Sequence, residues 1–308
     1  MVNNGLRAVA DEVEKEPGVL QEFSKSDLRK APGGSIFVGA GDSYAASMAG
    51  FYASGGRCIA MDPYSLASTP ALAEGTEVYF ISVSGRTSSN LTAARNVKGL
   101  AKRTTALTAD GRSMLAGLAD DVVVFPMTYA PRTPGMLSFC LSLLAVMKIA
   151  AGIGKCDFRE MLEKARSDRG TTRWGKGSTY FLANSLGFPA AMYAAAKTYE
   201  FMGFRAQPEL LEEFSHLELF ALKKSDSVNL FSCFDPSGMS SRLGRILGER
   251  GYMVNIIPCS GGSDVERLFH AVFTIQLAII SQAKIVGLSK PKFLSSGGRL
   301  QTSDYMIY

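Results

Sequence analysis

The sequence is poor in the residues that most often hold metals. It has two histidines, His216 and His270, and five cysteines with no CxxC pair among them. A His/Cys metal site would need nearly all of them, and no ligand spacing supports one, so no metal and no cofactor are expected. Cys58, Cys140, Cys156, Cys233 and Cys259 are scattered and odd in number, which reads as reduced, mostly buried thiols. A membrane-crossing helix takes about 18 or more apolar residues in a row, and no run is that long. The best, around Leu143–Ile153 and Ala271–Ile280, are broken by Lys148, Thr274 and Gln276. The opening MVNNGLRAVADEVEKE is acidic where a secretory signal needs an apolar core, so a cytoplasmic chain with no membrane partner is expected. Charge of one sign is also scarce: 33 basic against 28 acidic residues give a net +5, with no dense basic run. Nucleic acid is not an expected partner.

What is present is apolar and periodic. With 46% hydrophobic and 20% charged residues over 308 positions, disorder is excluded and one large or two medium domains can form. An amphipathic stretch, Leu6–Arg29, ends at Ala31-Pro32-Gly33-Gly34. Strands are expected at Ile36–Val38, Val78–Ser82, Thr105–Leu107 and Val122–Phe125, with helices over Ser43–Tyr52, Thr87–Lys102 and Gly135–Ala151. After the polar stretch Gly152–Gly177 the pattern restarts. Strands are expected at Tyr180–Ala183, Ser227–Cys233 and Met253–Ile257, and helices at Pro189–Gly203, Arg242–Arg250 and Val265–Val286. Strands alternating with helices imply an α/β fold with mostly parallel sheets. The restart has the look of a duplication: Gly34-Ser35-Ile36-Phe37 parallels Gly177-Ser178-Thr179-Tyr180, and Ile81–Gly85 parallels Phe231-Ser232-Cys233. The expected divisions are an N-terminal helical segment (1–30), a first α/β domain (31–152), a linker (153–176), a second α/β domain (177–290) and a tail (291–308).

Two turns of the first half carry the chemistry. Gly39-Ala40-Gly41-Asp42-Ser43-Tyr44 joins a strand to a helix. With Asp62 downstream it invites a dinucleotide reading, but Tyr44 stands where the third glycine belongs. A nucleophile-elbow reading of Gly41–Ala45 meets the objection that the turn follows the first strand, ahead of where hydrolases place it. The second turn, Ser82-Val83-Ser84-Gly85-Arg86-Thr87-Ser88-Ser89, offers hydroxyls and helix-start amides suited to a phosphate monoester. The competing explanation is a simple Ser/Thr helix cap. Two such turns on neighbouring strands favour a ligand crevice between them.

GAGDSYAAS (39–47) and ISVSGRTSSN (81–90) together resemble the sugar isomerase (SIS) domain family, in particular the isomerase half of glucosamine-6-phosphate synthase. There the turns read G-x-G-T-S and S-Q-S-G-E-T. Asp42, Val83 and Arg86 depart from that pattern; Ser43, Ser82, Ser84, Gly85 and Thr87 match it. The resemblance continues along nearly the whole chain. Ala196–Glu200 is similar to the family's A-L-K-L-K-E, and Glu212–His216 to G-E-L-K-H. Glu200 and His216 keep the family's 16-residue separation. Ala130-Pro131-Arg132-Thr133-Pro134 looks more like the A-P-R turn of archaeal phosphoglucose/phosphomannose isomerases. The synthase's glutaminase domain is not in this sequence, and its catalytic Lys aligns with Ser296, which cannot form a Schiff base.

The resemblance implies two tandem SIS-type three-layer α/β/α subdomains and a phosphosugar aldose–ketose isomerase acting through an enediol(ate). It implies phosphate held by Ser43, Ser82, Ser84 and Thr87, with Gly41, Asp42 and Ser296 also near substrate. It makes Glu200 the base between sugar C1 and C2, His216 the ring opener, and Lys197 and Arg132 the cations. The implied partners are a small phosphosugar and a second copy of the chain, in a homodimer with shared active sites. An amine-handling relative (a glucosamine-6-phosphate deaminase or a deglycase) and a non-catalytic phosphosugar-binding module are the alternatives.

Overall fold

The computed structural model describes residues 5–130 and 132–308. Helix α1 (Leu6–Ser24) buries Leu6, Val9, Val13, Leu20 and Phe23, spaced at three to seven residues so that they share one face. It is shorter than the periodicity predicts, because its last turn is closed by the Ser24 and Ser26 hydroxyls donating back to the carbonyls of Gln21 and Phe23. The chain forms two compact units. One is Val19–Gly154 with Ser296–Tyr308; the other is Lys155–Ser295 with the start of α1 up to Gly18.

In the first unit the strands β1 (Ile36–Val38), β2 (Ile59–Met61), β3 (Glu77–Ile81), β4 (Arg103–Thr108) and β5 (Asp121–Val124) make one wholly parallel sheet, ordered β2-β1-β3-β4-β5. Its helices are α2 (Asp42–Ala53), α3 (Pro63–Ser68), α4 (Ser88–Asn96), α5 (Met114–Leu118) and α6 (Leu137–Ala151). Alternate strand residues Ile36, Val38, Val78, Phe80 and Ala106 pack on Leu66, Leu91, Val97 and Leu115 of the α3–α5 side. Phe37 points the other way, toward α2 and α6. A Cβ on Gly50 of α2 would stand 2.6 Å from Val146 and 2.9 Å from Phe37, so this close approach requires glycine. The sheet is therefore covered on both faces, as a parallel sheet must be.

The second unit repeats the scheme with β6 (Thr179–Ala183), β7 (Ala206–Leu210), β8 (Ser227–Phe231) and β9 (Met253–Ile257), parallel and ordered β7-β6-β8-β9. Its helices are α7 (Phe158–Asp168), α8 (Phe188–Met202), α9 (Leu211–His216), α10 (Met239–Glu249) and α11 (Asp264–Ile285); α12 (Gly298–Ile307) belongs to the first unit. The stretch read as a linker with one helix carries α7, which buries Phe158, Met161, Leu162 and Ala165 and sets Phe158 edge-on to Phe269 of α11 at 4.9 Å. Tyr180, Leu182, Val228 and Leu230 pack on Leu211, Phe214 and Leu247, so α9 and α10 cover one face. Helix α8 adds nothing to that cluster and packs against α11, on the other face.

Helix α11 meets the length and composition of a membrane-crossing helix, but 72% of its most apolar window is buried inside the fold, as in a core helix. One sequence expectation is corrected here: not all the cysteines are reduced, because Cys233 and Cys259 form a disulfide, with Cα atoms 5.3 Å apart. The register explains why. Phe231 and Ile257 are partners across β8 and β9, and each cysteine lies two residues beyond its strand. Neighbouring strands about 4.8 Å apart thus deliver two thiols side by side, although 26 residues separate them in sequence. Cys58, Cys140 and Cys156 are buried.

Candidate functional site

The first unit presents a crevice where its strand order reverses. From β1 the chain moves outward to β2, and from β3 it moves outward the other way to β4, so the turns after β1 and β3 face each other at the carboxyl end. Ligands of open parallel sheets bind at such points. Gly41, at φ 57°, precedes α2 without a side-chain cap; it is exposed, and Asp42 and Ser43 are half-buried. Asp62, a candidate ribose ligand, accepts the backbone N–H groups of Tyr64 and Ser65 at 3.0 Å instead and caps α3.

The turn after β3 decides between a cap and a ligand cradle. Thr87 is the cap residue of α4, yet its side chain makes no capping hydrogen bond. Its hydroxyl lies 3.2 Å from the Ser82 hydroxyl, and Ser84 Oγ accepts the Arg86 N–H at 3.3 Å. Ser82 and Ser84 are buried and Thr87 is half-buried. Gly85 at φ 60° makes the turn possible: a Cβ there would lie 2.1 Å from Ser113 Oγ. The hydroxyls are held by one another around the start of a helix, which suits an anion better than a cap would.

Residues missed by sequence reasoning close in on this turn. Tyr129 is half-buried; burial, then the Tyr308 phenol, push its pKa up to about 12. Arg132 adopts φ 60° and donates from Nη2 to Asp304 Oδ2 at 2.8 Å, while Ser88 Oγ donates to the Ile307 carbonyl at 2.9 Å. The candidate cation is thus engaged by α12. Ser296, half-buried, opens the turn into α12 with its carbonyl accepting the Arg299 N–H at 3.1 Å. Pro131 lies outside the described residues. Tyr129 stands three residues before Arg132 and could have been found from it; nothing local marks Asp304 or Tyr308.

The second unit holds the candidate proton-transfer pair. Lys197, fully buried on α8, donates from Nζ to Glu200 Oε2 at 2.7 Å, and Glu200 keeps 32% of its side chain exposed. The i,i+3 spacing places both on one helix face. An exposed ion pair contributes little, but a buried ammonium is costly without an anion, so Glu200 is tied to a defined place. His216 ends α9 with 71% of its side chain exposed, Nε2 lying 3.2 Å from Glu212 Oε1. Because α8 and α9 cover opposite faces of the sheet, the unit does not bring His216 to Glu200.

The architecture is shared with solved structures. A glucosamine-6-phosphate deaminase from Thermotoga maritima superposes with a TM-score of 0.71 at 20% identity, over 92% of this chain and 96% of that one. A tagatose-6-phosphate ketose/aldose isomerase from Escherichia coli gives 0.71 at 18%, over 91% and 94%. The chain has their fold. The C-terminal domain of a glucosamine-fructose-6-phosphate aminotransferase from Francisella tularensis gives 0.69 at 16%, over 92% and 98%. No protein-family model and no curated protein matches the sequence. A common fold at such identity fixes architecture and leaves substrate to the side chains.

Proposed function

We propose that the protein is a phosphosugar aldose–ketose isomerase acting on a hexose 6-phosphate. The observation that carries this reading is Glu200, a part-exposed carboxylate held 2.7 Å from a fully buried ammonium. Such a group can take the proton from one sugar carbon and return it to the next. The phosphate would sit on Ser43, Ser82, Ser84 and Thr87, with Gly41, Asp42 and Ser296 alongside. Arg132 would leave Asp304 to stabilise the enediolate. His216 would move a proton between the anomeric hydroxyl and the ring oxygen, as an imidazole can near neutrality. That His216 and Glu200 lie on opposite faces of one sheet supports a homodimer in which each site draws its histidine from the partner.

The test is incubation with fructose 6-phosphate, mannose 6-phosphate and glucosamine 6-phosphate, following aldose–ketose interconversion and ammonia. Interconversion of the neutral sugars is expected. The similarity to a deaminase favours the second reading, and ammonia from glucosamine 6-phosphate without interconversion would establish it instead.

A further inference from the structure

The second unit carries a cavity that the candidate site does not use. It measures about 610 Å³ and lies where the chain enters β6, β7 and β8, away from the carboxyl end at which open parallel sheets hold their substrates. Cavities of about 300–1,000 Å³ take small organic ligands. The segment leading into β6 is fixed in place there. Asn229 Oδ1 accepts the Arg173 N–H at 3.2 Å, and its Nδ2 donates to the Arg173 carbonyl at 3.1 Å. Gly177 donates its N–H to the Ser225 carbonyl at 2.8 Å, and Ser178 donates its own to Asp226 Oδ1 at 2.8 Å. A Cβ on Gly175 would stand 2.3 Å from that Ser225 carbonyl, so this close approach requires glycine. Between these anchors the half-buried Trp174 donates from Nε1 to Thr198 Oγ1 at 3.1 Å, which holds its indole ring at the cavity wall.

The lining joins two kinds of group. Trp174 and Phe204 supply half-buried rings, and Lys176, Arg205 and Lys223 supply exposed cations. Among the described residues, none of those three side chains has a hydrogen-bond or ion-pair partner, and no ring or cation contacts the indole. Asp226 also lines the cavity, but it is buried and accepts the N–H groups of Ser178 and Lys223, each at 2.8 Å. A cavity of about 570 Å³ in the first unit differs on both counts: no aromatic ring lines it, and its Arg103 is already paired with Asp121. We propose that the second unit's cavity binds a nucleoside phosphate, with the base against Trp174 and Phe204 and the phosphates among Lys176, Arg205 and Lys223. Bases stack on aromatic side chains, and phosphates take charge-assisted hydrogen bonds from ammonium and guanidinium groups. An inorganic anion would leave both rings unused, and an uncharged aromatic would leave three cations unanswered. This site is separate from the Lys197–Glu200 pair. Thr198 and Glu200 stand two positions apart on α8, so they project from nearly opposite sides of the helix.

Trp174 is the single tryptophan of the chain, so its fluorescence reports this cavity directly. Titrating ADP into the full chain is expected to change that fluorescence saturably, with a midpoint below about 1 mM, and calorimetry is expected to give the same affinity. Adenosine and inorganic pyrophosphate each meet half of the site and are expected to bind at least about tenfold more weakly. Arg205→Gln/Lys223→Gln, at two exposed positions, is expected to weaken ADP about tenfold or more. Lys98→Gln, in the lining of the first unit's cavity, should leave ADP affinity unchanged. Fructose 6-phosphate should not displace ADP. No heat of binding and no fluorescence change at millimolar ADP would overturn the proposal. So would pyrophosphate or adenosine binding as tightly as ADP, or undiminished affinity in Arg205→Gln/Lys223→Gln. Displacement by fructose 6-phosphate would put ADP in the phosphosugar site and overturn it too, whereas ADP binding in a protein that turns over no phosphosugar would leave it standing.

Discussion

In the first unit, β1 and β3 run into small, hydroxyl-rich turns; in the second, their counterparts β6 and β8 run into Asn184-Ser185 and Ser232-Cys233-Phe234. Both sheets place the reversal of strand order at these points, so topology alone offers two similar crevices. Side chains separate them. At α4 the cap residue's hydroxyl is turned to Ser82. At α10 a carboxylate already stands at the helix start: Asp235 accepts the Ser240 N–H at 2.6 Å and its hydroxyl at 2.7 Å. Burial raises the Asp235 pKa, but the bonds from Ser237 and Ser240 outweigh it and hold the carboxyl below its ordinary range. The disulfide closes β8 to β9 at the same end. One crevice can admit an anion; the other supplies its own. The second unit places the Lys197–Glu200 ion pair near the last turn of α8 instead, so duplicated topology need not mean duplicated side chains.

The largest break in this comparison is expected from Glu200→Gln. If Glu200 is the base proposed above, its loss should cost about 10²–10⁴-fold in kcat, while the turn proposed to hold the phosphate should still bind phosphosugar. Calorimetric binding alongside a turnover assay separates the two, and surviving turnover would remove Glu200 from the chemistry. Next comes Gly85→Ala. Its Cβ would meet Ser113 at 2.1 Å in a backbone of φ 60°, a combined loss of about 3 kcal/mol together with phosphosugar binding. The matching Gly238→Ala before α10, at φ 66° with nothing within 4 Å of its Cβ, should cost about 1 kcal/mol and leave binding intact. Equal losses in thermal unfolding would erase the distinction between the turns. Reducing Cys233–Cys259 is expected to lower stability by about 2–4 kcal/mol, leaving anion affinity unchanged; a melting point indifferent to dithiothreitol would deny the crosslink its role.

Much of this fold is written in local pattern. Strands Ile36–Val38 and Met253–Ile257 fall where alternation predicts them, and α6 and α11 follow from apolar length. The two missed strands, β2 and β7, are both at sheet edges. β2 spans only Ile59–Met61 and is partly exposed, and β7 contains Pro208, which edge strands tolerate but which argues against a strand in sequence. The site is less legible. Ser82, Thr87 and the Lys197–Glu200 spacing are local and could be read. The engagement of Arg132 with Asp304 spans 172 residues. Periodicity reports which face a residue occupies, not which distant segment meets it.

The smallest effect, and the one that ties the second crevice together, belongs to His270. Its side chain is fully buried, with Nε2 3.2 Å from Asp168 Oδ2. Nδ1 accepts the Ser260 N–H at 3.1 Å and lies 3.2 Å from the Pro258 carbonyl. A neutral ring accepting at Nδ1 thus pins the loop that carries Cys259. Burial lowers the His270 pKa, and the Asp168 charge only partly offsets it. Because the unfolded chain takes up a proton near pH 6.5, the ordinary histidine value, while the folded state refuses it, stability present above that pH falls as the solution is acidified. The loss continues until pH reaches the lowered folded value and then levels off. Thermal unfolding from pH 7.5 downward should show this decline in the unaltered protein and a flatter profile in His270→Asn. If the two profiles are parallel, His270 is not what holds the loop, and the closed end of β8 and β9 depends on the disulfide alone.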